Sequence, residues 1–174
     1  MAADAAEDRA TDLQAAGPVT FDVFLSHSVP PEDLPRLAQL RDRMSALGLG
    51  LSVPTRGLHP PRCLPLDVRR EISGADLVLV IVARGGRMPA SVAREIRYAL
   101  ARRRKVLALV EDGVRGPRDL DGIASVRFRR GDSRAAFAPA RELVERIRAD
   151  REFSVMAVGL ALQVLDGAPR RSAR

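Results

Sequence analysis

The chain predicts a doubly wound α/β protein: a flavodoxin-like parallel sheet of about five strands, in the order 2-1-3-4-5, with flanking helices. Three observations carry that expectation. Leu77-Val78-Leu79-Val80-Ile81-Val82 is an unbroken aliphatic run, which burial on both faces explains, as at the centre of a parallel sheet. From residue 21 onward, short apolar runs alternate with helical patterns. The links between them are short, and such strand–helix–strand units wind onto one sheet.

The elements follow in order. Phe21–Leu25 is the first strand, breaking abruptly into Ser26-His27-Ser28. Asp33 is placed to cap a helix whose Pro35 sits in the first turn, where a missing N–H is harmless. Leu37, Leu40, Met44 and Leu47 share one face of that helix, and Gly48 ends it. Leu49–Val53 is a second strand. A Pro/Gly-rich loop over 54–65 holds Arg56, Gly57, His59 and Arg62. Leu66–Ser73 is a short helix closed by Gly74, and the aliphatic run 77–82 is the third strand, ending in the turn Arg84-Gly85-Gly86-Arg87. A helix over 91–104, a strand over 106–110, a loop over 112–121, a strand over 125–128 and a helix over 133–149 complete the pattern. In the last helix Ala140, Leu143, Val144 and Ile147 point inward.

Both ends differ from the middle. Residues 1–18 carry Asp4, Glu7, Asp8 and Asp12 among alanines, without a basic start or an apolar core, and read as a flexible arm rather than a signal peptide. The globular domain is expected over 19–150, an apolar helix over 151–166 and a basic tail over 167–174. The apolar stretch Phe153–Leu165 is shorter than the ~20 residues that cross a bilayer. It reads as a helix packed on the domain or on a second copy.

Composition narrows the chemistry. The 174 residues carry a net charge of +7, and Lys105 is the single lysine beside an abundance of arginine, a skew that looks like coding bias as much as selection for a polyanion. With five Phe, one Tyr and no Trp, there is no aromatic ladder for single-stranded bases. Neither nucleic acid nor a membrane is expected as a partner. Cys63 is the lone cysteine and His27 and His59 are the only histidines, so no disulfide within the chain and no metal site are expected. A reducing cytoplasm fits that usage.

In the 2-1-3-4-5 order the switch point lies between the first and third strands, and ligands bind there, outside the carboxyl ends. That placement brings Ser26, His27 and Ser28 beside Gly85 and Gly86. Gly85-Gly86 reads as a turn first and a phosphate cradle second, since no nucleotide-binding glycine fingerprint is present. Glu95 follows Val92 by three residues and precedes Ala99 by four, so it lies on or beside the buried stripe of its helix. Two readings stay open for it. One is an ion pair with Arg102 or a loop arginine. The other is a carboxylate that holds ribose hydroxyls and stabilises positive charge on the sugar.

The ordered set of segments resembles the Toll/interleukin-1 receptor (TIR) domain family, bacterial type, over roughly residues 20–150. Phe21-Asp22-Val23-Phe24-Leu25-Ser26-His27-Ser28 is similar to the first strand of that family, and 54–65 occupies the place of its BB loop. Ala75–Val82 is similar to its third strand, Ser91–Leu100 to its third helix and Lys105–Val110 to its fourth strand. The resemblance implies an NAD+ hydrolase or cyclase that breaks the nicotinamide–ribose bond, in bacterial antiphage or stress signalling. It implies Glu95 as the catalytic residue, with NAD as substrate and no other cofactor. Ser26, His27, Ser28, Gly85 and Gly86 would line the pocket, and Arg56 or Arg87 would meet the diphosphate. It also implies a homo-oligomer, for which the 54–65 loop and the 153–165 segment are the candidate contacts. Two alternatives stand beside it. The absence of Trp, the Pro/Arg-rich loop and the apolar tail suit a non-enzymatic TIR adaptor that acts by self-assembly. The Glu95-Ile96-Arg97-Tyr98-Ala99 segment is also similar to nucleoside 2-deoxyribosyltransferases.

Overall fold

Leu77–Val82 forms the middle strand of the sheet, and its side chains alternate between two separate cores. Leu77, Leu79 and Ile81 belong to one, and Val78, Val80 and Val82 to the other. In this computed structural model, which describes residues 21–54, 63–85, 90–114, 120–147 and 149–167, the five strands are β1 (Phe21–Ser28), β2 (Leu49–Ser52), β3 (Leu77–Val82), β4 (Lys105–Glu111) and β5 (Ala124–Phe128). All neighbouring pairs are parallel and the order is β2-β1-β3-β4-β5, the doubly wound arrangement expected from the sequence.

Helices α1 (Leu34–Ser45), α4 (Ser133–Arg146) and α5 (Arg151–Asp166) cover one face. Helices α2 (Leu66–Gly74) and α3 (Ala90–Ala101) cover the other. The register Ser26↔Val80, His27↔Ile81 and Ser28↔Val82 sets the ends of β1 and β3 side by side, so the polar end of β1 lies at the switch point.

Several boundaries move from their sequence positions for local reasons. A short 3-10 turn (Pro31–Asp33) precedes α1, and the Asp33 side chain makes no cap bond because an ion pair takes it. Leu47 lies beyond the end of α1 and is 49% exposed rather than packed. Gly48 turns the chain at φ 75°, a conformation that suits a residue without Cβ. Leu143 and Ile147 pack at the margin of the core, while Ala136, Ala140 and Val144 fill it.

The expected helix over 91–104 stops at Ala101. Arg104 donates its N–H to the Ala99 carbonyl at 2.9 Å and Arg103 to the Leu100 carbonyl at 2.9 Å, the paired bonds of a Schellman ending. The left-handed residue in that ending is Arg103, at φ 55°. Glycine is favoured there because a Cβ crowds the backbone in this conformation.

Arg103→Gly is expected to stabilise the fold by about 1 kcal/mol through relief of that strain. Urea unfolding with an unchanged m-value checks this, and a lower midpoint would contradict it.

Candidate active site at the carboxyl ends of the strands

Alternation along a strand sends successive side chains to opposite faces. Phe24 lies in the core under α2 and α3, so Ser26 and Ser28 follow it to that face. On α3 the buried stripe is Val92, Glu95, Ile96 and Ala99, which brings one carboxylate down onto the sheet among aliphatic side chains. Ser26 Oγ donates to Glu95 Oε2 at 2.5 Å. The serine is 0% and the glutamate 2% exposed. A hydroxyl-to-oxygen bond this short is typical of a charge-assisted pair, and burial strengthens it. Arg102, one candidate ion partner from the sequence, lies instead over the ring of Tyr98 at 5.3 Å.

Ser28 sits two residues closer to the open end of β1 on the same face. Its Oγ is buried and has no hydrogen-bond partner among the described residues. Ala83 N–H donates to the Ser28 carbonyl at 3.1 Å, which carries the β1–β3 pairing one step past the strands. A buried hydroxyl of this kind, next to the Ser26–Glu95 pair, is a ready contact for a sugar hydroxyl.

The same alternation sends His27 to the opposite face with Leu25, under α1, α4 and α5. The structure therefore brings Ser26, Ser28 and Glu95 together and sets His27 apart from them. Gly85 turns the chain after β3 at φ 79°, and its Cα faces Pro30, which follows β1. Arg56, Gly86 and Arg87, and most of the 54–65 loop, lie outside the described residues.

A second polar cluster, missed in the sequence, crowns the opposite side of the same strand ends. Arg130, just after β5, donates from Nη1 and Nη2 to the two oxygens of Asp33 at 3.2 and 2.7 Å, and from Nε to Glu111 Oε2 at 3.1 Å. Glu111 Oε2 also accepts the backbone N–H of Arg84 at 2.7 Å. Burial alone would lower the pKa of Arg130, but the bonds to Asp33 and Glu111 outweigh it and hold the guanidinium above its ordinary value. The arginine thus ties the entry to α1 to the ends of β4 and β5. Arg84 Nη2 donates to the Asp112 carbonyl at 2.8 Å, and its guanidinium lies where a Cβ on Gly113 would sit, 2.6 Å away. These residues line a cleft of about 1050 Å³ open to solvent. The Ser26–Glu95 pair is not part of its wall.

No protein-family model matches the chain, and no curated protein does. Among solved structures the chain is similar to the TIR domains in a structure of the activated Roq1 resistosome directly recognizing the pathogen effector XopQ. The match has 11% identity and a TM-score of 0.43, and covers 84% of each chain. Likeness at that distance decides nothing about function. Among the described residues no helix is long and apolar enough to cross a membrane, and no group of His, Cys, Asp and Glu is placed to hold a metal ion.

Arg130→Met is expected to cost about 3 kcal/mol, because it leaves buried Asp33 with Arg36 at 3.6 Å as its remaining ion partner and Glu111 with the Arg84 N–H. Adding Asp33→Asn and Glu111→Gln should recover a large part of that loss in urea unfolding. If the triple variant is no more stable than the single one, the arginine does not act through this pair.

Proposed function

We propose that this chain is a TIR-type NAD+ nucleosidase whose catalytic residue is Glu95. The observation that carries the reading is the short Ser26–Glu95 bond at the switch point of a doubly wound sheet. It holds a single carboxylate in one orientation beneath the place where such folds bind nucleotides. The segment resemblance to TIR domains supplies the substrate.

The chemistry suits one carboxylate. In NAD+ the nicotinamide is joined to ribose through a cationic ring nitrogen, so it leaves as a neutral base with the bonding electron pair and needs no proton. The ribose is left as an oxocarbenium-like cation. Glu95 stabilises that cation and accepts a hydrogen bond from a ribose hydroxyl, while Ser26 fixes the carboxylate and Ser28 offers a second hydroxyl contact. Water then adds to the anomeric carbon and loses a proton, giving ADP-ribose. Capture by a nucleophile within the same molecule would give a cyclic product instead. A purine leaving group is neutral before cleavage and asks for a general acid, which makes NAD+ a better fit than a deoxynucleoside.

Self-association belongs to the same reading. Helix α5 packs against α1 and α4, and leaves Val155, Met156 and Leu160 partly exposed beside Phe137, where a second copy can dock. A cytoplasmic signalling role, in bacterial antiphage or stress defence, completes the proposal.

A second reading rests on the burial of Glu95. At 2% exposure the carboxylate reaches a sugar only after its cover moves, and a structural Ser–Glu bond in a non-enzymatic adaptor accounts for the same geometry. One experiment separates them. Concentrated protein is incubated with NAD+, and in parallel with deoxynucleosides, and base release is followed by chromatography. Glu95→Gln, which keeps the hydrogen bond from Ser26, is expected to lose nicotinamide release by about three orders of magnitude with its fold intact. Ser26→Ala is expected to lower kcat by about 100-fold and to leave KM nearly unchanged. Nicotinamide release that survives Glu95→Gln removes Glu95 from the chemistry. Base release from deoxynucleosides alone would select the transferase.

A further inference from the structure

The outer corner where α2 meets α3 carries a concentration of positive charge that the site chemistry does not use. Arg69 and Arg70 project from α2, and Arg102, Arg103, Arg104 and Lys105 follow one another at the end of α3 and the start of β4. Arg104 is half-buried and the other five are exposed. None of the six forms an ion pair among the described residues.

The nearest acids do not neutralise the corner. Asp67 and Glu71 lie one turn apart on the flank of α2 that faces away from Arg69 and Ser73; Asp67 is a helical neighbour of Arg70, without an ion pair between them. The pKa of Glu71 is raised, first by burial and then by the charge of Asp67, and no arginine offsets it. Asp76 is engaged with a backbone group, accepting the Asp22 N–H at 2.8 Å.

The cations are fixed rather than free to wander. Tyr98 Oη lies 3.3 Å from Ser73 Oγ, which joins α3 to α2. The phenol pKa is lowered, first by this hydrogen bond, then by hydrogen bonding and charge from Arg102 and by the charge of Arg69, so both arginines converge on one ring. Arg104 Nη1 donates to the Ala75 carbonyl at 3.3 Å. Arg103 occupies a left-handed position that glycine would hold with less strain. A favourable interaction with the helix C-terminus accounts for one or two cations there, not for a run of four followed across to α2.

We propose that the α2–α3 corner docks double-stranded DNA through its phosphate backbone. Guanidinium groups that no carboxylate neutralises release condensed counterions from a polyanion, and that release supplies the affinity. A single strand fits poorly, because the corner has one aromatic ring, Tyr98, with Arg102 already over one of its faces, and one ring makes no stacking ladder. An anionic bilayer fits poorly, because the large apolar residues exposed on the two helices are Leu66 at the start of α2 and Leu100 near the end of α3, two isolated side chains rather than an apolar face. The wide major groove of B-form DNA admits a helix such as α3, and the deep, narrow one of an RNA duplex does not. The absence of stacking aromatics, which argues against single strands, leaves this mode open.

The test is fluorescence anisotropy of a short labelled DNA duplex with the full chain, titrated at several salt concentrations between about 50 and 200 mM. Binding is expected with a log–log salt slope of about −4 to −5, at about 0.9 per neutralised phosphate. Arg70→Ala, Arg103→Gly and Lys105→Ala together should flatten that slope by about 3 and weaken binding about tenfold or more at the lowest salt, with NAD+ cleavage unchanged. Because Arg103→Gly relieves strain, an intact unfolding midpoint separates lost contacts from lost fold. The proposal is overturned by no binding at about 50 mM salt, or by a slope the triple variant leaves unchanged. It is equally overturned if an RNA duplex or phosphatidylserine vesicles are held as tightly through the same three residues.

Discussion

Everything in this molecule is arranged around the two-sided burial of β3. A strand with aliphatic side chains on both faces needs a hydrophobic layer above and below it, so helices must pack on both sides of the sheet. Two cores result, one under α1, α4 and α5 and one under α2 and α3. The strand that pairs beside β3 inherits the same division. At the end of β1 the division becomes chemical: Ser26 and Ser28 fall on the α3 side and His27 on the other.

The polar contacts at the strand ends form two independent sets, and Ser28 Oγ has no partner in either. On the α3 side, one serine and one glutamate share a short bond among aliphatic neighbours. On the α1 side, Arg130 bridges two carboxylates from different elements. The first set is small, shielded and built around a single carboxylate, a form suited to stabilising one transient cation. The second joins the entry to α1, the end of β4 and the start of α4, a form suited to holding loops in place. The cleft belongs to the second set.

The fold was legible because its signals are local or periodic: the aliphatic run of β3, the strand–helix alternation and the turn glycines. Glu95 was legible by the same means, since Val92, Ile96 and Ala99 define a stripe that passes through it. Its partner was not, because Ser26 is 69 positions away and no local pattern links the two. The period of two could have separated His27 from its serine neighbours, since adjacent residues of a strand cannot share a face. Asp33 shows the opposite difficulty. Its capping preference is visible in sequence, whereas Arg130 lies 97 positions on and claims its carboxylate. Leu47 continued the apolar period of α1 in sequence, but the helix ends before it, so a regular pattern outran the element that produced it.

Helix α5 is not an appendage to this architecture. Ala157, Ala161, Leu162 and Leu165 complete the core beneath α1 and α4, and Arg36 of α1 donates to the Val164 carbonyl across 128 positions. The Asp166 carboxylate also accepts the Gly131 N–H, next to Arg130. On a translating ribosome the α2–α3 side of the sheet can close as soon as its strands have emerged. The α1 side stays incomplete, with the aliphatic surface that α5 covers exposed, until the last turns of α5 have emerged. Such long-range closure slows folding and lengthens the interval in which a nascent chain is vulnerable to aggregation. For this protein, the stretch of synthesis after residue 150 is when a chaperone has most to protect.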